Sequence, residues 1–347
     1  MVRRVLYVSL GLAPITIAVH YLLHPGSTAD FVLAAAALIP LAWLIGEATE
    51  HAADHTGPGI GGFLNATFGN APELIIALFA ISDRLFDVVR GSLIGSVVGN
   101  LLLVLGFSLA FGGRGTLDRR SAYVSLALVT LALVVFLPTA VPAFHGDPNR
   151  HGVAVASVFG SVVLLVVYVV VTRRALRRHR GLQEASETMP EVAGWSLTTS
   201  LAVLGVATAL TAVIAEILVH SLENFATNAG LSDFFVAAVI VAIVGNAAEH
   251  GGAVVVAHRG RIRLAAEIAL SSGAQVAVFL IPAVALLSWA IHPLALAFRP
   301  VELAGLAVAV AVPAALLSDG RSSTRRGLLL VAAYVVVAAA FYVAGDR

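Results

Sequence analysis

Two short segments of the sequence repeat the same arrangement of an amide and a carboxylate side chain. Gly69-Asn70-Ala71-Pro72-Glu73 recurs as Gly245-Asn246-Ala247-Ala248-Glu249, with both the Asn and the Glu positions 176 residues apart. Asn and Glu separated by three residues lie on one face of a helix, so that an amide oxygen and a carboxylate can point at one spot. Because these ligands are all oxygens, the pair predicts a site for a hard cation.

Glu73 and Glu249 each lie within a long apolar run of the sequence. A charged side chain at the centre of a membrane helix costs about 2.5–3.5 kcal/mol. A bound cation offsets that cost at both positions, whereas a carboxyl hydrogen-bonded to a neighbouring helix explains a single glutamate better than a duplicated one. Ca²⁺ suits two carboxylates with carbonyl and amide oxygens. Without the ion, two nearby carboxylates in a low dielectric cannot both stay ionised, so protons should compete with Ca²⁺.

The residues around each glutamate favour interrupted helices. Pro72 lacks an N–H, so the carbonyl of Phe68 loses its helical donor and can turn towards an ion. Gly69 and Gly245 permit local unwinding. Because the second copy has Ala248 where the first has Pro72, we expect its helix to be less broken.

The composition places these motifs in a membrane protein. Of the 347 residues, 59% are hydrophobic and 12% are charged, whereas soluble proteins carry about 25% charged residues. A net charge of +1 argues against a nucleic-acid partner, and the lack of cysteine excludes disulfides and thiolate metal sites. We therefore predict an all-α polytopic membrane protein.

Apolar runs of about 20 residues, the length that crosses a bilayer core, predict about eleven transmembrane helices. They lie near residues 4–23, 31–52, 60–82, 88–112, 121–142, 153–173, 194–219, 233–257, 264–290, 301–318 and 327–344. With the N-terminus inside, 16 arginines fall in inside segments and 5 in outside segments, as the positive-inside rule expects. We predict an integral protein of the bacterial inner (plasma) membrane with a cytoplasmic N-terminus.

The two motifs belong to a longer internal repeat. Matching polar positions flank them, Glu47 and His51 with Glu216 and His220 upstream, and Ser96 and Asn100 with Ser272 and Gln275 downstream. Helices 2–6 thus resemble helices 7–11. Two copies with five helices each must insert in opposite orientations, as in secondary transporters whose substrate binds near the midplane. We assign residues 1–28 to an extra N-terminal helix, 29–174 to the first repeat, 175–192 to a cytoplasmic linker and 193–347 to the second repeat.

The segments from Gly61 to Ala77 (GGFLNATFGNAPELIIA) and from Gly245 to His250 (GNAAEH) resemble the Ca²⁺/H⁺ exchanger (CAX) family of the cation/Ca²⁺ exchanger superfamily. The resemblance spans residues 30–345. It implies an inverted five-plus-five fold with an extra N-terminal helix, and exchange of Ca²⁺ for protons by alternating access.

The resemblance also implies which residues form the site. Glu73 and Glu249 would be the principal Ca²⁺ and proton ligands, flanked by Asn70 and Asn246. The polar residues of the following helices would be secondary: Ser96, Asn100, Ser272 and Gln275. No cofactor is expected, because Ca²⁺ is the transported substrate. The expected partners are Ca²⁺, protons and bilayer lipid, with a homo-oligomer as an open alternative.

Other interpretations start from different residues. Proline before the first glutamate is closer to the wider superfamily, which includes Na⁺/Ca²⁺ exchangers, so a sodium counter-ion is one alternative. His51 and His55 have a spacing that can bind zinc, so an intramembrane metal-dependent hydrolase is another. Otherwise Glu47, Glu50 and Glu216 line the route to the site or face water at helix ends.

A channel can also carry acidic residues at a constriction. Helix-breaking residues at matched positions of an inverted repeat favour an alternating-access carrier instead.

Overall fold

The computed structural model describes residues 2–24, 26–141, 147–183 and 194–346, which form an almost entirely α-helical bundle. The first half contains α1 Val2–Ser9, α2 Leu12–Ala18, α3 Ser27–Phe68, α4 Ala71–Ser82, α5 Phe86–Val98, α6 Leu105–Gly112, α7 Arg119–Ala140 and α8 His151–Gln183. The second half contains α9 Leu197–Ala229, α10 Asp233–Phe235, α11 Ala242–Gly245, α12 Ala247–His258, α13 Ile262–Gln275, α14 Ile281–Leu287, α15 Pro300–Leu316 and α16 Thr324–Ala344. The predicted all-α class is confirmed.

Short strands and π-helical turns complete the chain. Strand β1 (Gly115–Thr116) pairs antiparallel with β2 (Arg321–Ser322). π-Helical turns extend α2 and join consecutive helices at Val19–Leu23, Gly99–Val104, Val236–Val241 and Val276–Leu280. A 3₁₀ turn, Ser288–Ala290, follows α14. Because the π turns keep the chain helical, α5 with α6 and α13 with α14 each cross as one long span.

Eight spans of the described residues are long and apolar enough to cross a membrane. The helices from Asp233 to Gly245 and from Glu249 to His258 form one further, bent span, and α4 and α15 are shorter apolar helices. The predicted count of eleven is therefore not reproduced one for one. The predicted span 60–82 is divided, because α3 runs to Phe68 and α4 begins at Ala71.

The end of α8 differs from its sequence prediction. The helix continues to Gln183, so the predicted linker of residues 175–192 begins inside a helix. Residues 184–192 of that linker lie outside the described part of the chain.

The connection between α14 and α15 was predicted as an outer loop, but the structure buries it. Residues 294–298 are at most 1% exposed although they are not helical. Leu294 donates its backbone N–H to Ser288, and Leu296 donates its own to Ser157. Extended backbone at membrane depth is tolerated only where its polar groups are satisfied inside the protein.

The side chain of Arg90, in the first half of the chain, holds the buried segment 294–298 in place. Arg90, at the outer end of the predicted span 88–112, counts among the outside arginines, yet its side chain is 1% exposed near the start of α5. It donates to the carbonyl of Ala295 at 3.0 Å and to Asn149 at 3.1 Å, and it pairs with Asp87 at 2.7 Å. The charge is thus neutralised inside the protein, which a count of arginines in loops cannot reveal.

The two repeats meet where α5 crosses the π turn Val236–Val241. A Cβ at Gly95 would lie 2.0 Å from the carbonyl oxygen of Ala238, so only glycine allows the two backbones to approach this closely. Small residues at such crossings are typical of membrane helix packing. The contact fixes the first repeat against the span that carries Asn246 and Glu249.

Because the two backbones are so close, one methyl group added at Gly95 should strongly destabilise the protein. We expect Gly95→Ala to destabilise the protein by about 3 kcal/mol, because the backbone of the partner helix must move. Gly99→Ala is the matched control on the same span, since a Cβ there meets no atom within 4 Å. Thermal unfolding in detergent, followed by intrinsic fluorescence, would measure both. Equal melting temperatures for the two variants would contradict the close crossing.

Candidate functional site

Both repeated motifs lie where a membrane helix is interrupted. Asn70 separates α3 from α4, with φ −106° and ψ 19°. Asn246 separates α11 from α12, with φ −93° and ψ 7°. The helices on either side of Asn246 are inclined by 58°. Asn246 thus interrupts the second helix although that copy has Ala248 in place of Pro72.

The interruption places each glutamate in the first turn of a new helix. Glu73 and Glu249 are both the third residue of their helices, α4 and α12. The first N–H groups of a helix have no partner inside it, and this end of the helix dipole favours a negative charge. Pro72 occupies the second position of α4, where its missing N–H removes no helical hydrogen bond. Pro72 thus begins α4 and does not disrupt a continuous helix.

Glu73 of the first repeat lies against the interruption of the second. A Cβ on Gly245 would lie 3.2 Å from Cγ of Glu73, so the glutamate side chain packs on the glycine backbone. Glu73 is buried, and Gly245 precedes Glu249 by only four residues. The two glutamates, far apart in sequence, therefore belong to one site.

Asn246 connects the repeats through hydrogen bonds. Its Nδ2 donates to Oγ of Ser96 at 2.9 Å and to the carbonyl of Ala242 at 3.0 Å. Its Oδ1 accepts from Nδ2 of Asn100 at 3.4 Å, and Asn100 also donates to the carbonyl of Ser96 at 3.0 Å. All three side chains are buried. The two polar residues predicted in the helix after the first motif thus contact the second motif.

The carboxylates have unequal surroundings. Ser272 donates a hydrogen bond to Oε2 of Glu249. Within the described residues, the buried Oε2 of Glu73 and Oδ1 of Asn100 accept no hydrogen bond. Buried acceptors without donors are uncommon in proteins. Carboxylate and amide oxygens of this kind are ligands that fit a hard cation, and the carboxylates can hold protons in its place.

Gln275 lies at the end of α13, partly buried, directly before the π turn Val276–Leu280. The matching π turn, Gly99–Val104, contains Asn100. Gln275 follows Ser272 by three residues and Asn100 follows Ser96 by four, and both spacings return to the same helix face. π Turns often mark functional positions, but hydrophobic periodicity gave no signal of them here.

The remaining predicted polar residues lie in α3 and α9. Glu47 is buried in α3, Glu50 is exposed and Glu216 of α9 is partly buried. Their role on an access path to the glutamate pair stays a prediction.

The histidine pair does not form a metal site. Nε2 of His55 is hydrogen-bonded to the carbonyl of Trp195 at 2.7 Å, and the ring of His51 lies 5.0 Å from that of Trp195. Across the described ranges, no group of three or more His, Cys, Asp or Glu side chains is arranged to hold a metal. The zinc-dependent hydrolase alternative therefore loses its structural basis.

Comparison with known proteins extends over nearly the whole chain. The sodium/calcium exchanger protein family matches residues 26–176 and 199–343. A Ca(2+)/H(+) antiporter of Aphanothece halophytica is 35% identical over 350 residues, covering 95% of this chain and 94% of that protein. The Ca(2+)/H(+) antiporter ChaA of Bacillus subtilis is 37% identical over 335 residues, covering 92% and 94%. The solved structure of native YfkE superposes with a TM-score of 0.83 at 33% identity, covering 98% and 99%.

Substitutions at the adjacent Ser271 and Ser272 test whether Ser272 orients the carboxylate of Glu249. We expect Ser272→Ala to weaken ⁴⁵Ca²⁺ binding by the purified protein about tenfold, because hydrogen bonds to charged groups contribute about 1.5–3 kcal/mol. Ser271→Ala is the control, since that exposed hydroxyl donates to the carbonyl of Ile268 in its own helix. Equal or tighter binding by Ser272→Ala would mean that the serine competes with the ion.

Proposed function

The chain belongs to the sodium/calcium exchanger protein family, and we propose that it is a secondary active transporter that exchanges Ca²⁺ for protons across a membrane. Relatives that match it over almost their full length are named Ca²⁺/H⁺ antiporters. The observation that carries the proposal is the packing of Glu73 on Gly245, which brings one glutamate of each repeat into a single buried site.

The charge of the site explains why the two ions compete. Glu73 and Glu249 supply two carboxylates, and Asn70 and Asn246 supply amide groups beside them. One Ca²⁺ neutralises both carboxylates and gains oxygen ligands. When Ca²⁺ leaves, protons must replace it, because two neighbouring carboxylates buried in a low dielectric cannot both remain charged. An empty, doubly charged site is too costly to rearrange within the membrane, so the two ions move in exchange.

The interrupted helices provide the means of alternating access. Inverted repeats in secondary transporters rock against each other around a fixed central site. Here Asn246 of the second repeat is hydrogen-bonded to Ser96 and Asn100 of the first, so the site lies on the boundary between the repeats. A relative movement of the repeats changes these contacts directly.

We further propose that the protein lies in the bacterial inner membrane with its N-terminus in the cytoplasm. Contacts between distant loops support the predicted division of the loops between the two sides of the membrane, and the excess of arginine supports the cytoplasmic assignment of one side. Asp118 pairs with Arg263 at 2.7 Å and β1 pairs with β2, so three loops predicted inside meet at one end of the bundle. His220 pairs with Asp83 at 3.2 Å, which joins two loops predicted outside.

Flux measurements in proteoliposomes test the exchange. With an acidic lumen, we expect ⁴⁵Ca²⁺ to accumulate against its gradient until the pH gradient collapses. Glu73→Gln and Glu249→Gln should each reduce uptake to the level of empty liposomes, because the neutral amide can neither balance Ca²⁺ nor carry a proton. Glu267→Gln removes an exposed carboxylate from α13 and should transport normally.

Other outcomes of the same assay assign other functions. Uptake driven by a Na⁺ gradient but not by a pH gradient would make the protein a Na⁺/Ca²⁺ exchanger. Equilibration of Ca²⁺ without accumulation would indicate a channel. Near-normal uptake in either glutamine variant, with normal membrane insertion, would contradict the two-glutamate site.

A further inference from the structure

A polar cavity, separate from the glutamate pair, lies at the end of the bundle where the loops predicted inside meet. It has a volume of about 400 Å³ and lies between the loop after α6 and the loop before α16. Its lining includes Arg114, Thr116, Asp319, Arg321, Ser323 and Arg326. The first two residues belong to the first repeat and the others to the second, so the cavity is built across both halves of the chain.

The loops around the cavity are held rigidly by backbone contacts. β1 pairs with β2 in the register Gly115 with Ser322 and Thr116 with Arg321. Leu117 donates its N–H to the carbonyl of Gly320 at 2.8 Å. Gly320 has φ +72°, and a Cβ there would lie 2.6 Å from Cγ of Arg119. The cavity is therefore a preformed feature of the fold.

The cavity carries an excess of positive charge. Arg326 donates hydrogen bonds to both carboxylate oxygens of Asp319, with nitrogen–oxygen distances of 2.6 and 2.7 Å. Hydrogen bonds from Arg326, and then from the backbone N–H of Arg321, hold the pKa of Asp319 well below its usual range, so this pair is neutral overall. Arg114 and Arg321 are exposed, and their side chains make no hydrogen bond within the described part of the chain. Two guanidinium groups thus remain for an anion.

From this geometry we propose that the cavity binds a phosphate group, presented either by an anionic lipid headgroup or by a free phosphate. Guanidinium groups match phosphate oxygens in geometry and charge. The cavity lies at the end of α6 and the start of α16, the level at which lipid headgroups meet membrane helices. Basic pockets at the cytoplasmic ends of membrane helices are suited to anionic headgroups. Ser323 caps α16, so the positive end of that helix dipole also faces this region.

Arg114 and Arg321 line one cavity together, and this distinguishes the site from the general excess of arginine in inside loops. Arg120 and Arg259 are also exposed at inside positions, but they do not line the cavity. A variant that removes them therefore has the same net charge as one that removes Arg114 and Arg321. The pair provides a matched control for non-specific attraction to anions.

The experiment compares the full-length protein with two double variants, Arg114→Gln/Arg321→Gln in the cavity and Arg120→Gln/Arg259→Gln as the control. In the first arm, native mass spectrometry measures bound phosphatidylglycerol against phosphatidylcholine of the same acyl chains. We expect the cavity variant to bind phosphatidylglycerol about tenfold more weakly and the control to match the unmodified protein. Gel filtration confirms that each variant is folded, and both cavity arginines are exposed, so folding should be preserved.

The second arm identifies the source of the phosphate. Radiolabelled inorganic phosphate is titrated into the three proteins in phosphatidylcholine nanodiscs. A cavity-specific loss in the lipid arm alone assigns a headgroup, and a cavity-specific loss in the phosphate arm assigns free phosphate. No binding in either arm, or equal losses in the two double variants, would overturn the proposal. The readout is binding and not transport, so failure here leaves the exchange function unaffected.

Discussion

Two carboxylates held together inside a membrane are the constraint on which the rest of this structure depends. Their mutual repulsion and their burial are both unfavourable, and only counter-charge removes either cost. Glu73 and Glu249 are placed in the first turns of interrupted helices, where unpaired N–H groups lessen the cost without cancelling it. In the proposed mechanism, Ca²⁺ or protons supply the remainder, and this need is what couples the two ions.

The packing around the pair follows from the same constraint. A span interrupted at its centre loses helical hydrogen bonds, so its neighbours have to hold it. Gly95 allows one span to approach the backbone of Ala238, and Asn246 is held by Ser96 and Asn100 across the repeat boundary. The outer connection near Ala295 is held by Arg90 in the same manner, with a side chain satisfying non-helical backbone. The interruption at Asn246 and the connection near Ala295 are thus both held by side chains from the first half of the chain.

The composition predicted an all-α membrane protein, and the structure confirms the all-α class. The duplicated motifs single out Glu73 and Glu249 as site candidates because burying charge in apolar runs is costly, and their role as ion ligands stays a prediction. The sequence signalled the interruption at Asn246 only through Gly245, because the second copy has no proline. The π turns and the burial of residues 294–298 could not be predicted, since both depend on contacts between residues distant in sequence. Arg90 shows the same limit, because its partners come from three parts of the chain.

Matching serines of the two repeats have different hydrogen-bond partners. Ser272 is hydrogen-bonded to the glutamate of its own repeat, whereas the matching Ser96 accepts from an asparagine of the other repeat. Sequence symmetry alone would give both serines the same partner. In an inverted repeat, however, identical surroundings for both halves would leave the site equally open or equally closed to the two sides of the membrane. Alternating access requires that the halves differ at any moment, and the unequal bonding of the two serines is such a difference.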